Sequence, residues 1–280
     1  MNDVFAQLPH PLLAPVITLC RQAGAAILPF WRTGVEVMAK SDDSPVTAAD
    51  LAAHELLVEG LKALAPDIHI LSEEDADIPL SERAGWKRWW LVDPLDGTKE
   101  FISGSEEFTV NVALIENGRV VFGVVSMPTN DRCYFGGAGL GAWRSDDEAH
   151  SAPITVRNEP AEGKAFTVVA SRRHSSAEQE KLLAGLSSVV GPLQLTNIGS
   201  SLKFCLLAEG AADCYPRLAP TSQWDTAAAQ GVLEGAGGVV LDLAGEVFSY
   251  PARESLLNGF FLALPAKAPW RAALLDLAKA

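Results

Sequence analysis

Apolar positions recur at helical spacing over residues 11–31 (Leu12, Val16, Leu19, Ala23, Ile27, Phe30), which predicts an amphipathic helix. A short strand is expected over 35–40, followed by a polar loop at 41–45. Thr47 and Asp50, three positions apart, form a capping-box pair at the head of a second helix that runs through Leu51, Leu56, Leu57, Leu61 and Leu64 to Ala65. Pro66 closes it. The run 68–71 predicts a strand that delivers the acidic stretch Ser72-Glu73-Glu74-Asp75-Ala76-Asp77. The apolar run 89–92 predicts a buried strand ending at Asp93-Pro94, since proline has no N–H to donate. Runs 108–116 and 119–127 flank Asn117-Gly118, the strongest short hairpin signal. Short strands follow at 133–135, 142–144 and 154–156, so the first half reads as helices packed on a mainly antiparallel sheet.

From residue 165 strand alternates with helix. The expected order is strand 166–170, helix 175–186, strand 193–198, helix 202–209 closed by Gly210, and strand 212–215. An Ala-rich helix opened by Gln223-Trp224-Asp225 and closed by Gly237-Gly238 comes next, then strand 239–243 and a last helix over 270–279. The fold class is α+β passing into α/β, with alternating helix and sheet layers. An N-terminal subdomain over 1–155 and a C-terminal one over 156–280 are expected.

Composition narrows the function. At 280 residues with 48% hydrophobic and 20% charged residues, the chain can bury a large globular core. A formal net charge of −13 argues against nucleic acid as a partner and means that a phosphate substrate needs cations locally. Cys20, Cys133, Cys205 and Cys214 form no Cys-x-x-Cys pair, which disfavours a zinc site and fits reduced thiols in a cytoplasm. No basic segment leads into an uninterrupted apolar run at the start, so no signal peptide is expected, and no run is read as a membrane span. Cytoplasmic placement follows, with peripheral attachment to the cytoplasmic face of the inner membrane left open.

The chemistry concentrates at strand ends. Asp93 and Asp96 emerge from a core strand beside Gly97 and the Thr98 hydroxyl, and hard oxygen ligands so placed suit Mg²⁺. The alternative is an Asp-rich turn capping its own backbone. Glu73 leaves the end of a neighbouring strand, about twenty residues earlier, where an acidic run is more often a solvated loop. Asp225 opens a helix, where an acid also serves as a cap. Four such carboxylates sum to −4, and a phosphate monoester adds about −2. At ~4 Å and an effective dielectric near 20, each like-charge pair costs about 4 kcal/mol, so the cluster holds a phosphate only with at least two divalent cations. Thr98 then suits a water-holding role, with Glu73 as general base. No Ser/His/Asp or Cys/His arrangement stands out, so attack by water is the economical mechanism.

Ser44-Pro-Val-Thr-Ala-Ala-Asp50, Leu71-Ser-Glu-Glu-Asp75, Asp93-Pro-Leu-Asp-Gly-Thr-Lys-Glu-Phe101 and Trp224-Asp-Thr-Ala-Ala228 together resemble the Mg²⁺-dependent, lithium-sensitive phosphatases of the inositol monophosphatase superfamily. The resemblance spans nearly the whole chain and implies that family's layered αβαβα sandwich. Lys99-Glu100-Phe101, Ile198-Gly-Ser-Ser-Leu-Lys-Phe-Cys205 and Tyr215-Pro-Arg217 followed by Ala219-Pro-Thr221 resemble its 3′(2′),5′-bisphosphate nucleotidase branch. Arg173 and Ala219 depart from that branch, where a small residue and a glycine are expected.

The resemblance implies one magnesium on Glu73, Asp93 and the Leu95 carbonyl, and a second on Asp93, Asp96 and Asp225, with a third arriving with substrate. It implies that Asp50 and Thr98, with Glu73, orient the attacking water, and that Gly97 and Thr98 offer N–H groups to the departing phosphate. His174, Ser200, Lys203 and Arg217 match the positions that receive the second phosphate and the nucleoside. The substrate implied is adenosine 3′,5′-bisphosphate, cleaved to AMP and phosphate, together with its sulfated precursor in sulfur assimilation. An inositol or sugar monophosphatase of the same fold, and a silent metal- or nucleotide-binding regulator, are the competing readings.

Overall fold

The computed structural model describes residues 8–34, 36–39, 45–147, 150–160, 162–170 and 176–279. In the first half the elements are α1 (Leu13–Ile27) with a 3₁₀ turn at Leu28–Phe30, β1 (Val37–Ala39), β2 (Pro45–Thr47), α2 (Ala48–Leu64), β3 (His69–Ser72), α3 (Leu80–Arg83) and β4 (Arg88–Asp96). They continue as α4 (Thr98–Ile102), β5 (Thr109–Glu116), β6 (Arg119–Met127), β7 (Arg132–Gly137), β8 (Gly141–Ser145) and β9 (Ser151–Pro153). The second half contributes β10 (Phe166–Ala170), α5 (Ala177–Val190), β11 (Leu193–Asn197), α6 (Leu202–Ala208) and β12 (Tyr215–Arg217). It closes with α7 (Trp224–Gly235), β13 (Gly238–Asp242), β14 (Phe261–Pro265) and α8 (Arg271–Lys279).

Strands β3 to β9 form one seven-stranded sheet in chain order. Only β3 and β4 run parallel; every other neighbouring pair is antiparallel. The continuous apolar runs follow from burial on both faces. Along β4, Trp90 and Val92 enter a core with α1 and α2, whereas Trp89 and Leu91 enter a second core with α6 and α7. Beyond those helices lies a smaller sheet with β14 between β12 and β13, and a bridge from Val168 to Cys214 brings the parallel pair β10–β11 alongside. Its far face buries Leu262 and Leu264 with Leu182 and Leu186 of α5 and Leu274 of α8. The layers are thus α, β, α, β, α, as the family resemblance implies.

Several boundaries differ from the sequence expectation. β4 does not stop at Asp93-Pro94 but runs on to Asp96, with an irregular register between Asp93 and Asp96. A bulge needs no ladder bond at that point, so proline is tolerated there. The strand expected at 154–156 is β9, Ser151–Pro153, at the sheet edge where Pro153 needs no N–H donor. The strand expected at 212–215 is β12, shifted by three residues into Tyr215-Pro216-Arg217. β14 has no counterpart among the expected elements, and the expectations around His174 fall outside the described residues.

Helix α1 and its 3₁₀ extension, Leu13–Phe30, are long and apolar enough to cross a membrane by length and composition, with mean hydropathy 1.4 over 18 residues. The sequence reading did not anticipate this. Leu13, Val16, Ile17, Cys20, Ala23 and Ile27 are all buried in the core shared with α2 and the sheet, so packing accounts for the apolar face. Helix α7 lies directly on the large sheet, where a Cβ built on Gly123 of β6 would overlap the Ala228 carbonyl. Glycines on both elements permit this backbone-to-backbone approach.

Candidate active site

Parallel pairing of β3 with β4 sets Ser72 beside Val92, and the Glu73 N–H donates to the Val92 carbonyl at 3.0 Å. The next residues, Glu73 just past the end of β3 and Asp93 where the β4 register becomes irregular, therefore lie side by side, as their spacing suggested. The first turn of α7 brings Asp225 to the same place. Carboxylate oxygens of Glu73, Asp93 and Asp225 all lie within 4.8 Å of one another. Hard oxygen donors converging at that spacing fit a divalent cation such as Mg²⁺.

Local backbone donors fix these side chains. The Leu95 N–H donates to Asp93 Oδ1 at 3.1 Å, and the Ser222 N–H donates to Asp225 Oδ2 at 2.7 Å. Asp96 stands beside the trio rather than within it, because its Oδ2 accepts the Ser201 N–H at 2.5 Å and faces the Asn111 amide at 3.4 Å. Burial pushes Asp225 up to about 8, with the charges of Asp96 and Glu73 adding to the shift. Burial likewise raises Asp96 to about 6, against the opposing pull of Lys203 and the Ser201 N–H.

Thr47 and Asp50 do form the capping box of α2, with the Thr47 N–H donating to Asp50 Oδ2 at 2.8 Å and its hydroxyl donating at 2.7 Å. Capping engages one Asp50 oxygen, and the other accepts the Thr98 hydroxyl at 3.1 Å, so the capping role does not exclude the expected functional one. That hydroxyl is also 3.3 Å from the Leu95 carbonyl. Gly97, at φ 94°, turns the chain from β4 into α4 in a conformation that side chains resist. Trp224 packs against the core, as expected of an anchor.

A cleft of about 330 Å³ runs from this cluster to the opening of α6, lined by Asp96, Gly97, Asp225, Ser200, Lys203 and Arg217 among others. It thus joins Asp96 to Lys203 and Arg217, which lie over a hundred residues further along the chain. The Lys203 ammonium donates to the Ser200 carbonyl at 2.9 Å; burial lowers its pKa while Asp96 opposes the shift. Arg217 donates to the Ala219 and Pro220 carbonyls at 3.2 and 3.1 Å. Ser200 has φ 49°, and its buried hydroxyl has no hydrogen-bond partner among the described residues. His174 lies outside the described residues.

Sequence reasoning missed the supports of this cleft. Glu107 accepts the Gly199 N–H at 2.8 Å, and Thr109, Asn111 and Ser201 form a buried hydrogen-bonded group behind Asp96. The available signal was the alternation of polar Thr109 and Asn111 with apolar Val110 and Val112, which puts the polar pair on one strand face.

A sequence model of the inositol monophosphatase family matches residues 8–276. The CysQ 3′(2′),5′-bisphosphate nucleotidase of Salmonella typhimurium is 48% identical over 253 residues, covering 89% of this chain and 98% of that protein. Its Escherichia coli K12 counterpart is 46% identical, with the same shares covered. The crystal structure of CysQ from Bacteroides thetaiotaomicron superimposes with a TM-score of 0.78 at 36% identity, covering 91% of this chain and 97% of that one. An inositol monophosphatase from Zymomonas mobilis gives a TM-score of 0.73 at 26% identity, covering 95% and 97%. On this evidence of sequence and fold together, the chain belongs to the inositol monophosphatase family, in its CysQ-type branch.

Proposed function

We propose that this protein is a Mg²⁺-dependent phosphatase that hydrolyses the 3′-phosphate of adenosine 3′,5′-bisphosphate to AMP and phosphate, and acts also on the sulfated analogue. One observation carries the reading: a single cleft joins Asp225 of the carboxylate trio, and Asp96 beside it, to a serine, a lysine and an arginine able to take a second phosphate. The names and high identity of the CysQ relatives support it.

Glu73, Asp93, the Leu95 carbonyl, Asp96 and Asp225 would hold two magnesium ions, with a third entering with substrate. Magnesium bound there would supply Lewis-acid activation of the phosphoryl group and lower the pKa of water. The Thr98 hydroxyl donates a hydrogen bond to Asp50, which leaves the hydroxyl oxygen as acceptor for a hydrogen of the attacking water. Glu73 takes the other proton as general base. Gly97 and Thr98 present N–H groups towards the phosphate being cleaved. Ser200, Lys203, Arg217 and His174 receive the remaining phosphate and the nucleoside. In this division of labour residues 1–155 supply most of the cation site, and 156–280 supply Asp225 and the nucleotide contacts. We place the activity in the cytoplasm, in keeping with four unpaired, buried cysteines.

The test is phosphate release from adenosine 3′,5′-bisphosphate and from inositol 1-phosphate, with Mg²⁺ and with chelator. The nucleotide is expected to be preferred at least tenfold in kcat/KM, and activity to vanish with chelator. Preference for inositol phosphate would reassign the chain to the other branch. Tight AMP binding without turnover would make it a silent regulator.

A further inference from the structure

Behind Asp96 three buried polar side chains close a hydrogen-bonded ring that none of the proposed roles uses. Thr109, Asn111 and Ser201 are 0%, 1% and 2% exposed, so each must find its partners within the protein. They do so through one another. The Ser201 hydroxyl donates to Asn111 Oδ1 at 2.9 Å, the Asn111 amide faces Asp96 Oδ2 at 3.4 Å, and the Ser201 N–H returns to the same oxygen at 2.5 Å. The Thr109 hydroxyl lies 3.0 Å from Ser201 Oγ and braces the ring from below.

Two consequences follow from this arrangement. Both donors aim at Oδ2, which leaves Oδ1 as the Asp96 oxygen offered to a cation. Ser201 also follows Ser200 directly and opens α6, so the loop lining the basic side of the cleft is anchored on the strand that steadies the acidic side. Thr109 and Asn111 reach it together because they share one face of β5, and Asp96 is the partner of Thr109 in the β4–β5 pairing.

We propose that Asn111 is a positioning residue of the active site: through the ring with Ser201 it keeps Asp96 Oδ2 engaged and so presents Oδ1 alone to the cation. The inference rests on the reading of the cleft as a cation-dependent phosphatase site. Asn111 touches neither substrate nor metal in this scheme. Its loss changes affinity for the cation through Asp96, as outer hydrogen-bond partners of ligands generally do.

The experiment measures Mg²⁺ binding alone by titration calorimetry at 20 °C, without substrate, on the whole chain. Asn111→Leu, of similar volume, is expected to weaken Mg²⁺ binding about tenfold, the low end of the effect of losing such a partner. Thr109→Val, a gentler change, is expected to weaken it in the same direction but less, and reports on the ring even where Asn111→Leu folds poorly. The double variant Asp96→Asn with Asn111→Leu is expected to bind less than twofold more weakly than Asp96→Asn alone, because two residues acting through one another are not additive. Unchanged Mg²⁺ affinity in the folded single variants, with only a lowered Tm, would overturn the proposal and leave Asn111 a structural residue. An undiminished Asn111→Leu effect in the Asp96→Asn background would overturn it too. A wild-type chain that binds no Mg²⁺ would instead fail the reading of the cleft, and the inference would fall with it.

Discussion

Asp213 and Asp225 are twelve residues apart, yet their surroundings are opposite. Asp213 is fully buried and matched by the chain itself: Arg157 grips both its oxygens at 2.7 and 2.6 Å, and the Thr167 N–H donates to one of them at 2.6 Å. Asp225 instead lies beside the charges of Asp96 and Glu73, which the Arg217 guanidinium only partly offsets while it donates to the Ala219 and Pro220 carbonyls. A buried carboxylate that brings its own cation is structural. One crowded by other carboxylates is arranged for a cation from outside, and the repulsion it carries is the free-energy cost that a bound metal relieves.

The sharpest way to break this contrast is to neutralise each site in turn. Asp225→Asn is expected to lower kcat at least on the order of 10²-fold, the scale of losing one electrostatic contact to a transition state. The same change should leave the metal-free protein as stable as before or more so, because it removes repulsion. Steady-state kinetics and chemical denaturation on one preparation check both halves. A large loss of stability would mean that Asp225 is a structural carboxylate like Asp213.

Arg157→Met is the mirror experiment. It strands the buried Asp213 carboxylate and is expected to cost about 3–5 kcal/mol in urea unfolding, with kcat per folded molecule unchanged. A loss below 1 kcal/mol would show that the pair is not what holds β10 against the segment after β9.

The smallest effect is a pH dependence. Asp225 and Asp96 have folded pKa values of about 8 and about 6, both above the value of about 4 expected in the unfolded chain. Between pH 4 and 8 the folded state therefore binds more protons than the unfolded one, and the contribution of these groups to stability falls as pH rises through that window. Mg²⁺ competes with those protons, so the rise in Tm on adding Mg²⁺ is expected to be larger at pH 8.5 than at pH 5.5. An equal rise at both values would show that neither aspartate is a ligand.

One side of this contrast, the carboxylate cluster, was legible in the sequence. Glu73 and Asp93 follow two β-rich runs whose separation allows a parallel neighbour, and Asp225 heads an Ala-rich helix; local pattern suffices for such positions. What escaped depends on contacts between distant segments. β14 is a short apolar run ending in proline, and it reads as a strand only once β12 and β13 flank it. The extension of β4 through Pro94 is permitted by a bulge in β4 itself, where Pro94 and Leu95 lie opposite the single residue Val110 of β5. The Asn111–Ser201 bond spans 90 residues, and the Arg157–Asp213 pair 56. No local periodicity records either.

The approach of α7 to the large sheet has a consequence for how far such a chain can diverge. Because glycines face backbone there, nothing compressible separates the helix from the strand beneath it, and the height of Asp225 above the strand ends is a property of main-chain geometry. Substitutions elsewhere in the core can be absorbed by neighbouring side chains changing rotamer. A methyl group at residue 123 has no such outlet: it acts as a shim under the helix and lifts Asp225 away from Glu73 and Asp93.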